Sequence, residues 1–331
     1  MFQVKKGAYI ALIVGSILYG MTGLFLFQIH DMSITSIIFY RLFFGLLAIS
    51  VFIVISNSQS ELKIAKKKFL LLLQVIFGLI SLIFYFICIE KTCFSIAVLL
   101  QSTAPICVML ASPYLLKEKV GKESILALII AITGVYLVIH PDRGFVGFDL
   151  SGSYYVGIVS GLLSGLFSAF CIINIRILKR NYSEFSIAFW TTALCCLLMS
   201  PYAFEPSLNI ITTNIFPLLA SGILIVGIGG ILTTIGFANL KSQTGSLLSL
   251  IQLVAGVFFD LAVLKVTLPA DAIEGCILVL IASVIISLND SSKLSIIVNA
   301  YVKIVGDYCK SLMKVRRWGM SLQMLTIRSK K

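Results

Sequence analysis

Gln101, Ser102 and Thr103 interrupt an otherwise apolar run and lead into Pro105. Proline has no N–H, and its ring crowds the carbonyl four residues earlier, so the helical bond to the Gln101 carbonyl is disturbed. Inside a membrane a released carbonyl persists where protein or water supplies a donor. The stretch therefore marks a polar cavity, with Gln101 as its leading residue; the other reading of that amide is a hydrogen bond between packed helices. Gln252, with Ser246 and Ser249 on nearby turns, offers a second amide. Two facing amides bind a polar uncharged or zwitterionic solute through paired donors and acceptors. Tyr19, Tyr85, Asn174 and Ser102 complete the candidate substrate-binding set.

Charge within apolar segments is expensive and requires a reason. Arg41 lies roughly 10 Å into its span at 1.5 Å per residue, and Asp260 lies near one end of another. Arg41 is expected to pair with Asp260 or with Glu90 as a gate, with Pro105 as a point of bending. The alternative is that each charge snorkels separately to the headgroups.

These residues need elements that hold them in a bilayer. The chain has 331 residues, 59% of them hydrophobic and 12% charged, with a mean hydropathy of +1.05. That is more apolar surface than soluble cores of this size hide. Runs long enough to cross the hydrocarbon layer as helices fall at about 7–27, 34–55, 69–89, 94–116, 123–139, 153–175, 185–204, 215–238, 243–264 and 272–288. Continuous apolarity excludes the alternating strands of an outer-membrane barrel. The fold class is an all-α polytopic membrane protein with ten transmembrane helices. The first span is too long for a cleaved signal peptide and is read as retained.

The two halves align at a nearly constant offset. Phe39-Tyr40-Arg41 falls on Phe189-Trp190-Thr191, and Ala97-Val98-Leu99-Leu100 on Gly245-Ser246-Leu247-Leu248. An odd number of crossings per copy turns the second copy over, which gives two inverted five-helix repeats. The expected boundaries are 7–139 for the first repeat, 140–152 for an outer linker, 153–288 for the second repeat and 289–331 for a tail. With the N-terminus inside, the inner segments collect Lys5, Lys6, Lys63, Lys66, Lys67, Lys68, Lys117, Lys119, Lys122, Arg176, Lys179, Arg180 and Lys241 together with a basic tail, while the outer ones hold Lys91, Arg143 and Lys265. This bias places both termini in the cytoplasm of a cell whose cytoplasmic (inner) membrane the chain spans.

The net charge of +12 thus reflects orientation and not nucleic-acid binding. The tail carries nine basic residues against Asp290 and Asp307. Its interleaved apolar residues suit an amphipathic helix on anionic inner-leaflet lipid, or else a solubilising tail. Eight cysteines without a Cys-x-x-Cys pair or a neighbouring histidine imply no metal, and no cofactor is expected. A monomer and a homodimer both fit.

The small-residue start at Ala97, Pro105, the Lys117-Glu118-Lys119 end and the Gly134 span resemble the EamA-type carriers of the drug/metabolite transporter superfamily, as do Leu18-Tyr19-Gly20 and Phe39-Tyr40-Arg41. The resemblance covers about residues 7–288. It implies a solute carrier with ten helices, termini inside, a central cavity between the halves, and substrates among amino acids and other small metabolites. The second half departs from the pattern: Leu253 stands in the place of Pro105, Val266 in that of Glu118 and Thr191 in that of Arg41.

The expected function is secondary transport of a small polar metabolite by alternating access, not catalysis. A membrane-embedded enzyme is the rival, but the two histidines, His30 and His140, lie in outside segments, and no clustered acid, base or metal-ligand motif accompanies them. A non-transporting structural membrane protein is the third reading.

Overall fold

A computed structural model describes residues 2–62, 67–92, 94–139, 152–264 and 270–290. These residues are helical apart from short turns, with no strand among them. Contacts divide the chain into a body, Met1–Ile286, and a second unit, Ser287–Lys331. The expected amphipathic tail lies almost wholly outside the described residues, as does most of the expected linker.

In the first half the helices are α1 (Phe2–Gly20), α2 (Thr22–Leu26), α3 (Ile34–Ile55), α4 (Lys68–Lys91), α5 (Phe94–Gln101), α6 (Ala104–Leu115) and α7 (Lys122–Ile139). The second half has α8 (Ser153–Leu178), α9 (Glu184–Met199), α10 (Leu208–Thr213), α11 (Ile215–Ala220), α12 (Gly230–Asn239), α13 (Ser242–Ser249), α14 (Ile251–Leu264) and α15 (Ala270–Asp290). Among the described residues six segments are long and apolar enough to cross a membrane: Lys6–Leu26, Ile34–Ile55, Lys68–Lys91, Ser153–Leu178, Glu184–Phe204 and Ile215–Asn239. The protein is thus an all-helical, multi-pass membrane protein.

Local chemistry repeats between the halves. Ser33 caps α3 by accepting from Ser36 N, and Ser183 caps α9 by accepting from Ser186 N. Each hydroxyl takes up one N–H that the first helical turn leaves without a partner. Packing also repeats with the halves exchanged. α4 of the first half lies along α8, the opening helix of the second; reciprocally, α1 lies along α12. Small residues permit this closeness. A Cβ built on Gly165 of α8 would lie 2.5 Å from Thr103 Oγ1 and 2.8 Å from the Leu100 carbonyl, so only glycine admits the α5–α6 junction there.

Two features exceed the expectation of plain spans. The span begun by α5 is divided: the helix ends at Gln101 and resumes at Ala104. Its counterpart is divided between Ser249 and Ile251. Pro105 explains the first break. The second occurs with Leu253 in the proline's place, held by tight turns in which Leu250 N donates to Leu247 O and Leu253 N to Leu250 O. The second feature is a π-helical stretch over Ser221–Gly229, continuous with α11 and α12, packed on α3. Wide turns of this kind are rare and concentrate at functional sites.

Candidate functional site

Both helix breaks border one cavity of about 320 Å³. Gln101, Ser102, Ala104 and Pro105 line it at the first break, and Ser249, Leu250 and Gln252 at the second. Gln101 closes α5, whereas Gln252 is the second residue of α14. The two amides thus flank their breaks from opposite ends. α1 contributes Ser16 and Tyr19, α3 Arg41, α4 Gln74 and Phe86, α8 Ser168 and Cys171, and α9 Thr191 and Thr192. Thr233, Thr234 and Phe237 of α12 complete the wall. The volume suits a small metabolite, and an apolar wall with a few placed polar groups is how such pockets fix a ligand.

The break satisfies part of its own backbone. Ser102 Oγ donates to the Val98 carbonyl at 2.7 Å and Thr103 Oγ1 to the Leu100 carbonyl at 2.6 Å. Gln101 Nε2 reaches Ser164 Oγ on α8 at 3.4 Å, a weak bond that leaves its amide adaptable.

Arg41 is the one charged residue among the described lining. Its side chain is 7% exposed, with the guanidinium carbon 5.5 Å from the centre of the Phe86 ring. Among the described residues its Nε has no hydrogen-bond partner, and neither do the buried hydroxyls of Ser16 and Thr191. All three residues border the same cavity. Buried polar groups in native proteins are almost always satisfied; the hydroxyls of Ser186 and Ser242 are also unpartnered among the described residues but lie outside the lining, so three of the five such groups belong to cavity residues.

The sequence-derived residues divide. Gln101, Gln252, Tyr19, Ser102, Arg41 and Pro105 line the cavity. Tyr85 is buried but not in the lining. Asn174 is buried in an interhelical bond instead, donating to Gln74 Oε1 at 3.0 Å and to the Leu70 carbonyl at 2.9 Å. Glu90 pairs with its neighbour Lys91 at 2.8 Å rather than with Arg41, because both side chains stand at the end of α4, where each is more than a third exposed. The Asp260 side chain lies outside the described residues. Gln74 and the threonine pairs 191–192 and 233–234 were missed; a polar pair inside an apolar span is the signal that could have found them.

Side-chain bonds join the halves at both ends of the body. At one end Glu118 Oε2 accepts from Ser242 N at 3.0 Å, and Glu118 Oε1 lies 3.6 Å from Arg176 Nε. Arg176 also donates to the Ala238 carbonyl at 2.6 Å, and Gln243 Nε2 to Ser112 Oγ at 3.0 Å. At the other end Glu205 accepts from Ser33, Thr35 and Ser36, and Asn214 exchanges two bonds with the His30 backbone. Ser33 is the main cause, with Ser36 next, that holds the Glu205 carboxyl below its ordinary range.

Comparison with known proteins agrees with this architecture. The EamA-like transporter family matches residues 6–140 and 155–288. An "Uncharacterized transporter" of Helicobacter pylori is 27% identical over 222 residues, 65% of this chain and 72% of the relative. The pseudopaline exporter CntI of Pseudomonas aeruginosa is 29% identical over 132 residues, 40% of this chain and 44% of the exporter. A local match of 32% identity likewise spans only 35% of its relative's length. A solved crystal structure with 17% identity superposes with a TM-score of 0.71, over 86% of this chain and 97% of that one, which shows a shared fold.

Proposed function

Because the chain belongs to the EamA-like transporter family, we propose that it is a secondary transporter that moves a small polar metabolite across the cytoplasmic membrane by alternating access. The observation that carries this reading is the pair of helix breaks at repeat-related places bordering a single cavity. Discontinuous helices in corresponding positions of two halves are where carriers of this design bind solute. In this reading ten crossings form two five-helix halves, 7–139 and 153–288, of opposite orientation. The basic segments face the cytoplasm with both termini, and residues 289–331 lie against anionic inner-leaflet lipid. The Glu118 end of the body is then the cytoplasmic gate, and the Glu205 end the outer one.

Two related amides, Gln101 and Gln252, orient the solute. Either movement of the flanking half-helices or shear along the small-residue contacts exposes them alternately to the two faces. The exporter among the relatives supports cargo of metabolite size.

The test is uptake and efflux by purified protein in liposomes across a metabolite panel. Gln101→Ala and Gln252→Ala are each expected to raise KM about tenfold, the worth of one or two lost hydrogen bonds. Unchanged transport in both variants would remove the proposed site.

A further inference from the structure

The cavity holds a fixed positive charge without a negative one among its described lining residues. A guanidinium does not escape this by losing its proton, since it stays charged in proteins. Burial of such a charge without an anion is strongly unfavourable. Arg41 is 93% removed from solvent, is in no ion pair among the described residues, and has an Nε with no acceptor. The Phe86 face supplies part of the attraction but accepts few of its N–H donors. Glu90, the acidic candidate on α4, is engaged by Lys91.

We propose that the transported solute carries a carboxylate, and that Arg41 takes it as its counter-ion. This deepens the transport reading above and rests on it only in treating the cavity's occupant as cargo.

Three further observations point the same way. Ser16 and Thr191, whose buried hydroxyls have no partner among the described residues, line the same cavity, and a hydroxyl is a fit donor for a carboxylate oxygen. Of the helices that resume after the breaks, α6 begins at Ala104, which lines the cavity, and the first residue of α14 is flanked by the lining residues Leu250 and Gln252, so their positive dipole ends favour an anion there. Finally, Thr191 is the repeat counterpart of Arg41, and both line the cavity. One half therefore offers a full charge where the other offers a hydroxyl. That asymmetry fits one carboxylate on the Arg41 side, with the neutral amides of Gln74, Gln101 and Gln252 left for the uncharged polar remainder of the solute.

Cys171 lines the cavity and serves as a reporter. In full-length protein that retains Cys171 as its single thiol, reconstituted in liposomes, the rate ratio of an anionic sulfonatoethyl thiosulfonate to its trimethylammonium analogue, normalised to the ratio for a free small thiol, should be about ten, the scale of local electrostatic enrichment in a cleft. Arg41→Gln should reduce that ratio to about one, while Arg41→Lys should keep most of it. A second measurement uses the protein with all its cysteines, in case their removal prevents folding. Acetate, pyruvate, succinate and leucine, at about 10 mM to reach millimolar affinities, are compared with their amides and with inorganic phosphate as thermal stabilisers. At least one carboxylate should raise the melting temperature where its amide does not, and Arg41→Gln should abolish the difference.

A normalised labelling ratio of about one, a preference that survives Arg41→Gln, no stabilising carboxylate, or stabilisation by phosphate alone would each overturn the proposal. Charge-selective labelling and stabilisation without movement of any panel solute would instead sink the transport reading and leave the anion site standing.

Discussion

Asn174 on α8 donates its amide to Gln74 on α4, 3.0 Å away, and so joins the two halves beside the cavity. The bond consumes the donor of one residue and fixes the carbonyl end of another that lines the site. Asn174→Ala leaves Gln74 Oε1 and the Leu70 carbonyl without this donor. Unfolding of the variant in detergent should show a loss of about 1–3 kcal/mol, the usual penalty for stranding a buried acceptor. The folded fraction should transport with a KM close to that of the parent. A large KM change without loss of stability would return Asn174 to the binding set.

The close crossing of α3 with the π-helical stretch offers a steric test. A Cβ on Gly222 would lie 2.6 Å from Phe44 Cβ and 3.0 Å from the Arg41 carbonyl, whereas a Cβ on Gly7 would meet nothing within 4 Å. Gly222→Ala is expected to destabilise by about 1–3 kcal/mol through overpacking. Gly7→Ala should be neutral or slightly stabilising, since alanine is the better helix former. Comparison of the two melting temperatures separates local crowding from a general effect of replacing glycine.

Glu118 closes one end of the body by accepting from Ser242 N at the start of α13 while Arg176 stands 3.6 Å away. Glu118→Ala removes both contacts and leaves the Ser242 N–H without its acceptor, for which about 1–2 kcal/mol is expected. In the transport reading the same variant loosens the cytoplasmic gate. Cys171 should then react faster with a thiol reagent supplied from the cytoplasmic side than in the parent; an unchanged rate at reduced stability would make Glu118 a purely structural clamp.

Glu205 gives the body a pH-dependent contact. Hydroxyl donors favour its ionised form, so its folded-state pKa is lower than its unfolded one. The resulting stabilisation is fully present above the unfolded carboxylate range and disappears as pH falls through the folded pKa. Melting temperatures of the parent and of Glu205→Gln, taken from about pH 7 to about pH 3, should differ most at neutral pH and converge at the acid end. A gap that stays constant or widens on acidification would exclude this contribution.

Six of the ten expected spans and the repeat were legible because hydropathy and helix length are properties of short stretches, and a duplicated segment keeps its spacing whatever it packs against. Thus Ser33 and Ser183, like Arg41 and Thr191, could be related by counting. Pro105 likewise announced a break, because its missing N–H acts within its own helix. The break at Leu250 had no such residue to announce it, and the π-helical stretch over Ser221–Gly229 reads in the sequence as an ordinary glycine-containing span.

Which polar residues share a cavity was decided only when the helices packed. Gln101 and Gln252 belonged together on sequence grounds, yet Asn174, equally polar, was taken by Gln74, and Glu90 by Lys91. The amino-acid order fixes what each side chain can donate or accept, and where along its helix it stands. Which neighbour answers it depends on rotation about the helix axis and on partners as distant in the chain as Gln74 is from Asn174, and these are set by packing across the whole body.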